Sequence, residues 1–448
     1  MEWEKLLSDY RYCDEKETIN TEEIEPSRNN FERDYDRIIF SSSFRRLGKK
    51  TQVHPMSRND HIHTRLSHSL ETASIGRSLG FKVSKKLGLP KQQQQNTADI
   101  IQSACLAHDI GNPPFGHAGE SAIRGWFQDH KDVLECLETP QQNDFLYWEG
   151  NAQAFRVLTQ VEHHLFDGGM RLTYATLGAM MKYPWTSCQR NENDKYGCFW
   201  SEKNILEAVC QKLEMKKTHG VNFHWSRNPF ALLTEAADDV CYRVLDIEDA
   251  HELKILSYAD VKKLFDVPDN SEEKPDNLYT EKQIQYMNNT DKNYSDRRKI
   301  SYLRANFLNK CVDEIVEVFI SNKESIKNGD FQGALKDHMN PEIINILNKI
   351  DLTCKKVVFN EKRKVELELG SYSIMSTLLE NFCKAAKEIT GGRNISNKSM
   401  RISKLLGETL IDKNMSTYEG YLRVMDYIAG MTDNYATYIA KQLNGFGL

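Results

Sequence analysis

The sequence predicts a mostly helical protein, on three observations. Apolar residues recur at helical spacing over long stretches in both halves of the chain. Strand-like alternation is confined to residues 355–369, which predict at most a small β-hairpin turning near 360–364. No apolar run reaches the ~18 residues of a membrane span, so no transmembrane helix is expected.

Composition sets the class. Among 448 residues, 40% are apolar and 27% charged, as in an ordinary globular protein with a sizeable core. The net charge of −5 provides no strong overall field to attract nucleic acid, although a local groove remains open. The charged start, Met1-Glu2-Trp3-Glu4-Lys5, lacks the apolar segment of a secretory signal. The ten cysteines are scattered without a C-x-x-C pair, so neither a zinc ribbon nor a disulfide framework is expected. A cytoplasmic location follows as an expectation, with no membrane partner.

In chain order, residues 1–44 read as a charge-dense N-terminal arm or short helix. The stretch Arg45-Arg46-Leu47-Gly48-Lys49-Lys50 reads equally well as a solvated basic patch and as a binding element. Over 64–89, Ile75, Leu79, Val83 and Leu87 repeat at i+4, and Gly88-Leu89-Pro90 ends the helix. Gln92–Gln95 read as a surface loop. Ile101, Ala104, Cys105 and His108 share one face of the next helix, and 121–137 and 151–166 also have helical spacing. Residues 183–200 are irregular. Phe230–Leu245 form a clear helix with Leu233, Ala237, Val240 and Val244 on its core face. Residues 266–295 are polar and read as a flexible insertion. Further helices are expected over 301–321, 372–390 and 418–443, so 296–448 read as a helical C-terminal region packing on residues 45–265 in one integrated domain.

Chemistry concentrates at His108-Asp109-Ile110-Gly111-Asn112-Pro113-Pro114-Phe115-Gly116-His117-Ala118-Gly119-Glu120. Imidazole and carboxylate at a helix end suit a first-row divalent ion. The Gly/Pro turn stops the helix and can bring His117 and Glu120 back over the same point. His68 and Asp238 stand on two other predicted helices, and Asp238, Tyr242 and Asp246 share a face at i, i+4 and i+8. Each residue alone reads more simply as a satisfied core histidine or a solvated carboxylate. Three helices offering such residues together point to a metal site.

The ordered set His68, His108-Asp109 and Asp238 resembles the HD-domain metal-dependent phosphohydrolases. Arg45-Arg46-Leu47 with Thr51-Gln52-Val53, Arg65-Leu66-Ser67-His68-Ser69, the stretch 108–120, Glu149-Gly150-Asn151-Ala152-Gln153, Glu235-Ala236-Ala237-Asp238-Asp239 and Asp426–Asp433 together resemble the deoxyguanosine triphosphate triphosphohydrolase family. The resemblance spans 45–433. It implies an HD-domain helical core over 45–265 holding one divalent ion, Mn²⁺ or Mg²⁺ first, with iron or zinc as alternatives. It implies His68, His108, Asp109 and Asp238 as metal ligands, with Asp239 behind them or at the surface, and His117 and Glu120 as a catalytic dyad. It implies Arg65, Asn151, Lys182, Tyr183 and Lys195 along the phosphates, and Gln52, Tyr242 and Asp246 around the deoxyribose. The implied reaction takes a dNTP, dGTP preferred, to deoxynucleoside and inorganic triphosphate. A homo-oligomer, hexameric in form, and a nucleotide or single-stranded DNA effector are further implications. The alternatives are hydrolysis of another phosphoester, such as an alarmone or cyclic nucleotide, and a nucleic-acid-binding regulatory role. No Walker string G-x-x-x-x-G-K-[ST] is present, which argues against a P-loop enzyme.

Overall fold

α-Helices supply nearly all the regular structure in a computed structural model that describes residues 1–12, 28–56, 59–162, 168–265, 280–288, 295–392, 395–407 and 411–446. Paired extended backbone among the described residues is limited to isolated bridges such as Thr51 with Thr64. The N-terminal segment contributes α1 (Asn30–Ile39) and α2 (Ser42–Arg46). Asn29 opens α1 through a capping box with Glu32, which satisfies end donors that would otherwise lack partners.

The centre is built from α3 (Arg65–Lys86), α4 (Lys91–Ala107), α5 (Gly116–Asp129), α6 (Thr139–Leu146), α7 (Gly150–Arg156), α8 (Tyr174–Met180), α9 (Lys203–Lys212) and α10 (Pro229–Glu252). Thr64 caps α3, and Asn228 with Pro229 starts α10. α3 lies against α4 at close range: a Cβ on Gly76 would stand 2.5 Å from Cys105 Sγ. That approach fixes the spacing of His68 and His108, which the two helices carry. α11 (Tyr258–Leu264), α12 (Glu281–Asn288), α13 (Asp296–Ser321), α14 (Lys323–Lys327) and α15 (Pro341–Thr353) follow. Leu79, Ile101, Leu233, Val240, Phe307 and Ile315 are buried in the first apolar cluster.

The chain ends with α16 (Lys362–Thr390), α17 (Asn397–Leu405), α18 (Thr417–Gly430) and α19 (Asp433–Leu443). Leu378, Phe382, Tyr421 and Met425 bury themselves with Ile123, Phe127, Phe145 and Trp148 in a second cluster. The C-terminal helices thus close over α5, α6 and the start of α7. A charged joint at Arg156 reinforces the contact. Asp426 accepts from Arg156 Nε at 2.8 Å and Nη2 at 2.9 Å, and Arg156 Nη1 donates to Glu202 at 2.6 Å.

Several local expectations change. Gln92–Gln95 belong to the first turns of α4, capped by Pro90; polar side chains on an exposed helical face look like loop composition. The hairpin at 355–369 is a π-helical turn, Cys354–Val358, followed by α16. Val365, Leu367 and Leu369 alternate, yet Leu369 is exposed, so the alternation marks no sheet face. The helix expected over 418–443 breaks at Met431, where α18 gives way to Thr432 as the cap of α19. Lys50 is not part of a solvated patch. It is buried, and its Nζ donates to the carbonyls of Asn112 and Ala429, both at 2.6 Å. The insertion expected at 266–295 falls mostly outside the described residues; within it, α12 is helical.

A further clamp holds the approach to α3. His63 Nδ1 meets Asp249 Oδ1 at 2.7 Å and its Nε2 meets Glu71 at 3.4 Å. Burial opposes a charge on this ring, but the hydrogen bonds to Asp249 and Glu71 outweigh it and lift the pKa to about 10. Because the folded value lies above the unfolded one of ~6.5, the stabilisation is complete below about pH 6.5 and is lost as pH rises through 10. The stability advantage of wild type over His63→Gln in urea unfolding is therefore expected to shrink from pH 6 to pH 9.5. A gap independent of pH would remove the charge from this account.

Candidate metal centre and phosphate cavity

The turn after α4 carries the site. His108 caps α4, and the amides of Ile110 and Asn112 donate to the carbonyls of Ala107 and Asp109 in tight turns. Pro113 and Pro114 prevent helix continuation. Phe115 then takes a left-handed conformation, φ 63°, which redirects the chain into α5. Gly111 is irreplaceable in this packing: a Cβ there would lie 2.1 Å from Ala154 N and 2.2 Å from Gly150 O. The turn is thus seated on α7, and a side chain would lift it off.

His68 from α3, His108 from the end of α4 and Asp238 from α10 converge. Their ligand atoms all lie within 4.8 Å of one another. His68 Nε2 stands 3.0 Å and His108 Nε2 3.5 Å from Asp238 Oδ1. His108 Nδ1 is 2.6 Å from the Cys105 carbonyl, a contact that suits Nδ1–H as donor and turns Nε2 toward the group. Asp109 sits at the edge, with Oδ1 3.6 Å from His108 Nε2. Its other oxygen accepts from Arg65 Nη1 at 2.8 Å, and Asn112 donates to Oδ1.

Imidazoles and carboxylates shift one another within this group. Burial disfavours charge on His108, yet Asp109 and Asp238 raise its pKa to about 9. Against the same burial cost, His108 and His68 hold the Asp238 carboxyl well below its usual range. The buried Asp109 and the half-buried Asp238 thus face imidazole nitrogens around one point. A divalent ion bound by N and O donors fits that arrangement.

A cavity of about 520 Å³ opens from this group. All fourteen residues expected in the site line it: His68, His108, Asp109 and Asp238; His117 and Glu120; Gln52, Arg65, Asn151, Lys182, Tyr183, Lys195, Tyr242 and Asp246. His117 Nδ1 is 3.3 Å from Glu120 Oε2 in the first turn of α5, and its ring is 87% exposed. Lys182 Nζ meets Glu235 at 3.2 Å, and Lys195 Nζ meets Glu149 at 2.8 Å. Gln52 Oε1 is buried without a hydrogen-bond partner. Burial pushes the Asp246 carboxyl well up, with Asp249 adding to the effect. Asp239, left open as a supporting or surface residue, is buried and pairs with Arg243 at 3.2 Å and Lys336 at 3.1 Å.

Sequence reasoning passed over one wall. Phe359, Lys364 and Glu368 line the cavity from the start of α16. Lys364 pairs with Glu368 and lies 5.3 Å from the centre of the Phe359 ring. The i, i+4 Lys/Glu spacing was the available signal, masked by the strand-like alternation around it.

Helices that bring a histidine, a His-Asp pair and a distant aspartate to one cavity define an HD protein, and the HD domain model matches residues 65–261. The likeness extends beyond that window. A Pseudomonas aeruginosa deoxyguanosinetriphosphate triphosphohydrolase-like protein is 42% identical over 99% of each chain. A Synechocystis protein of the same name is 35% identical over the full length of both, and a Cronobacter sakazakii deoxyguanosinetriphosphate triphosphohydrolase is 31% identical over 91% of this chain and 92% of its own. The chain belongs to the deoxyguanosinetriphosphate triphosphohydrolase family of HD proteins.

The geometry makes a direct prediction for metal binding. His108→Ala is expected to weaken Mn²⁺ binding by more than about a hundredfold in calorimetry, since even groups behind the ligands typically contribute 10–100-fold. Equal affinity in the variant and wild type would move the ion elsewhere.

Proposed function

We propose that the protein hydrolyses deoxynucleoside triphosphates, dGTP foremost, to deoxynucleoside and inorganic triphosphate. One observation carries this reading: the metal-type group, the His117–Glu120 pair, two lysines and a sugar-sized polar end share a single cavity. The names of the relatives agree with it.

A divalent ion, Mn²⁺ or Mg²⁺, held by His68, His108, Asp109 and Asp238 would supply charge neutralisation at the phosphoryl oxygens and a more acidic water. The remaining work falls to the chain. Lys182, Lys195 and Arg65 bring cations to the triphosphate, with Asn151 and Tyr183 as neutral donors. Glu120 orients His117, whose exposed ring moves a proton at the reacting bond. Water oxygen joins the α-phosphorus, the bond to the 5′ oxygen breaks, and the 5′ oxygen takes a proton. Gln52 and Asp246 bond the 3′-OH, while the Tyr242 ring leaves no partner for a 2′-OH. A ribose hydroxyl buried there without a partner costs about 1–3 kcal/mol.

In this reading base preference is assigned to the wall that Lys364 and Glu368 form on α16. Guanine presents N1–H and an amino group side by side, which a carboxylate such as Glu368 accepts, and O6, which Lys364 can reach with a donor. Adenine has one amino donor beside an acceptor nitrogen and no O6, so it cannot give a carboxylate two adjacent donors. A homo-oligomer, hexameric in form, and a nucleotide or single-stranded DNA effector belong to this reading on family resemblance alone.

Product analysis with a dNTP panel and Mn²⁺ tests the reaction: inorganic triphosphate with deoxynucleoside is expected, whereas release of monophosphate or pyrophosphate would sink the proposal. His117→Ala is expected to keep its metal while kcat falls by roughly 10²–10⁴; full activity would exclude the dyad. In Glu368→Gln, the ratio of kcat/KM for dGTP to that for dATP is expected to fall by about tenfold, the equivalent of a buried hydrogen bond of ~1.4 kcal/mol. An unchanged ratio would place base reading on other residues.

A further inference from the structure

Beside the dyad lies a second buried carboxylate to which the reading above gives no role. Glu149 precedes α7 and is 1% exposed, yet it borders the cavity. Its Oε1 accepts from Asn151 Nδ2 at 2.6 Å, and its Oε2 accepts from Arg124 Nη2 at 2.6 Å and Lys195 Nζ at 2.8 Å. Arg124 Nη2 also donates to Glu120 Oε1 at 2.7 Å, and Lys195 Nζ stands 3.5 Å from that same oxygen. Two carboxylates therefore share two cations in a closed square, one corner of which is the partner of His117.

We propose that Glu149 is a positioning residue for the reaction: it holds Lys195 and Asn151 toward the phosphates and, through Arg124, fixes Glu120 against His117. This inference rests on the proposed triphosphohydrolase activity.

The arrangement is poorly explained as a stability device. Buried ion pairs rarely stabilise more than apolar residues of the same volume would. A purely structural pair also has no reason to border a cavity. Each bond serves a group already placed near substrate. Lys195 is long and flexible, and an ammonium with one anchor samples many rotamers; the Glu149 contact restricts that sampling before substrate arrives. The Arg124 backbone of the square is itself rigid, because its Nε donates to the Trp148 carbonyl at 2.6 Å. Without Glu149, both cations would converge on Glu120 and draw it from His117. Consistent with a crowded pair, burial and the neighbouring Glu120 raise the Glu149 pKa to about 7, while His117 and Lys195 hold Glu120 low against its own burial.

The test uses the full-length, Mn²⁺-loaded protein and two variants that the proposal separates. Glu149→Gln removes the anchor of both arms. Its kcat for dGTP is expected to fall by roughly 10–100-fold, as for a misplacement near 1 Å, and the Kd for inorganic triphosphate by calorimetry to rise by about tenfold. Metal stoichiometry should be unchanged. Arg124→Gln removes the bonds of Arg124 to Glu120, Glu149 and the Trp148 carbonyl but leaves Glu149 its contacts to Lys195 and Asn151, so kcat should fall with the triphosphate Kd unchanged. A folded Glu149→Gln protein with kcat and Kd both within twofold of wild type overturns the proposal. A merely structural role would lower melting temperature and metal content without this split. Should Glu149→Gln fail to fold, an undiminished kcat in Arg124→Gln overturns the link to the dyad. If wild type turns over no dNTP, the reaction reading fails by itself, and the triphosphate affinities still decide whether Glu149 places Lys195.

Discussion

The Asp433 carboxylate is the constraint on which the site depends. It opens α19, far from the metal group in sequence, and binds both loops that border the cavity. One oxygen accepts from Thr51 N at 3.0 Å and Thr51 Oγ1 at 2.5 Å; the other accepts from Phe115 N at 2.9 Å. Phe115 is the residue in left-handed conformation, a state that is costly for a non-glycine residue and persists only where its surroundings hold it. Asp433 supplies part of that hold, and Lys50 adds two bonds across the same seam. The C-terminal helices therefore serve as the frame that keeps the turn, and hence His117, in place.

Charge inside the frame is balanced group by group. Lys195 faces Glu149, Lys182 faces Glu235, Arg65 faces Asp109, and Arg156 faces Asp426 and Glu202. Removing one partner of such a pair leaves a buried charge uncompensated, which costs far more than the pair contributes.

Much of this was legible in the sequence because helical periodicity and the HD strings are local signals. His68, His108, Asp238, His117 and Glu120 were readable from residue type and order, and the structure brings all five to one cavity. What escaped depends on contacts between distant segments. Nothing near Lys50 announces that its ammonium will sit between Asn112 and Ala429. Glu149 was quoted as part of a motif, but its meeting with Lys195 and Arg124 requires three separate elements. Phe359, Lys364 and Glu368 were hidden for another reason: Val365, Leu367 and Leu369 alternate like a strand although they ride on a helix with an exposed side.

The countercharged lysines have a consequence for how an anionic ligand enters. An open basic patch attracts a polyphosphate over distances near the Debye length, and added salt weakens that attraction steeply. Here Lys182 and Lys195 are paired with Glu235 and Glu149, which shortens the reach of their charge. Under the proposed activity, an incoming phosphate oxygen would be received at short range by lysines whose carboxylate partners stay in place. On that reading selectivity is favoured over capture speed: an anion with no second feature to bind has little to gain from cations that Glu149 and Glu235 already share.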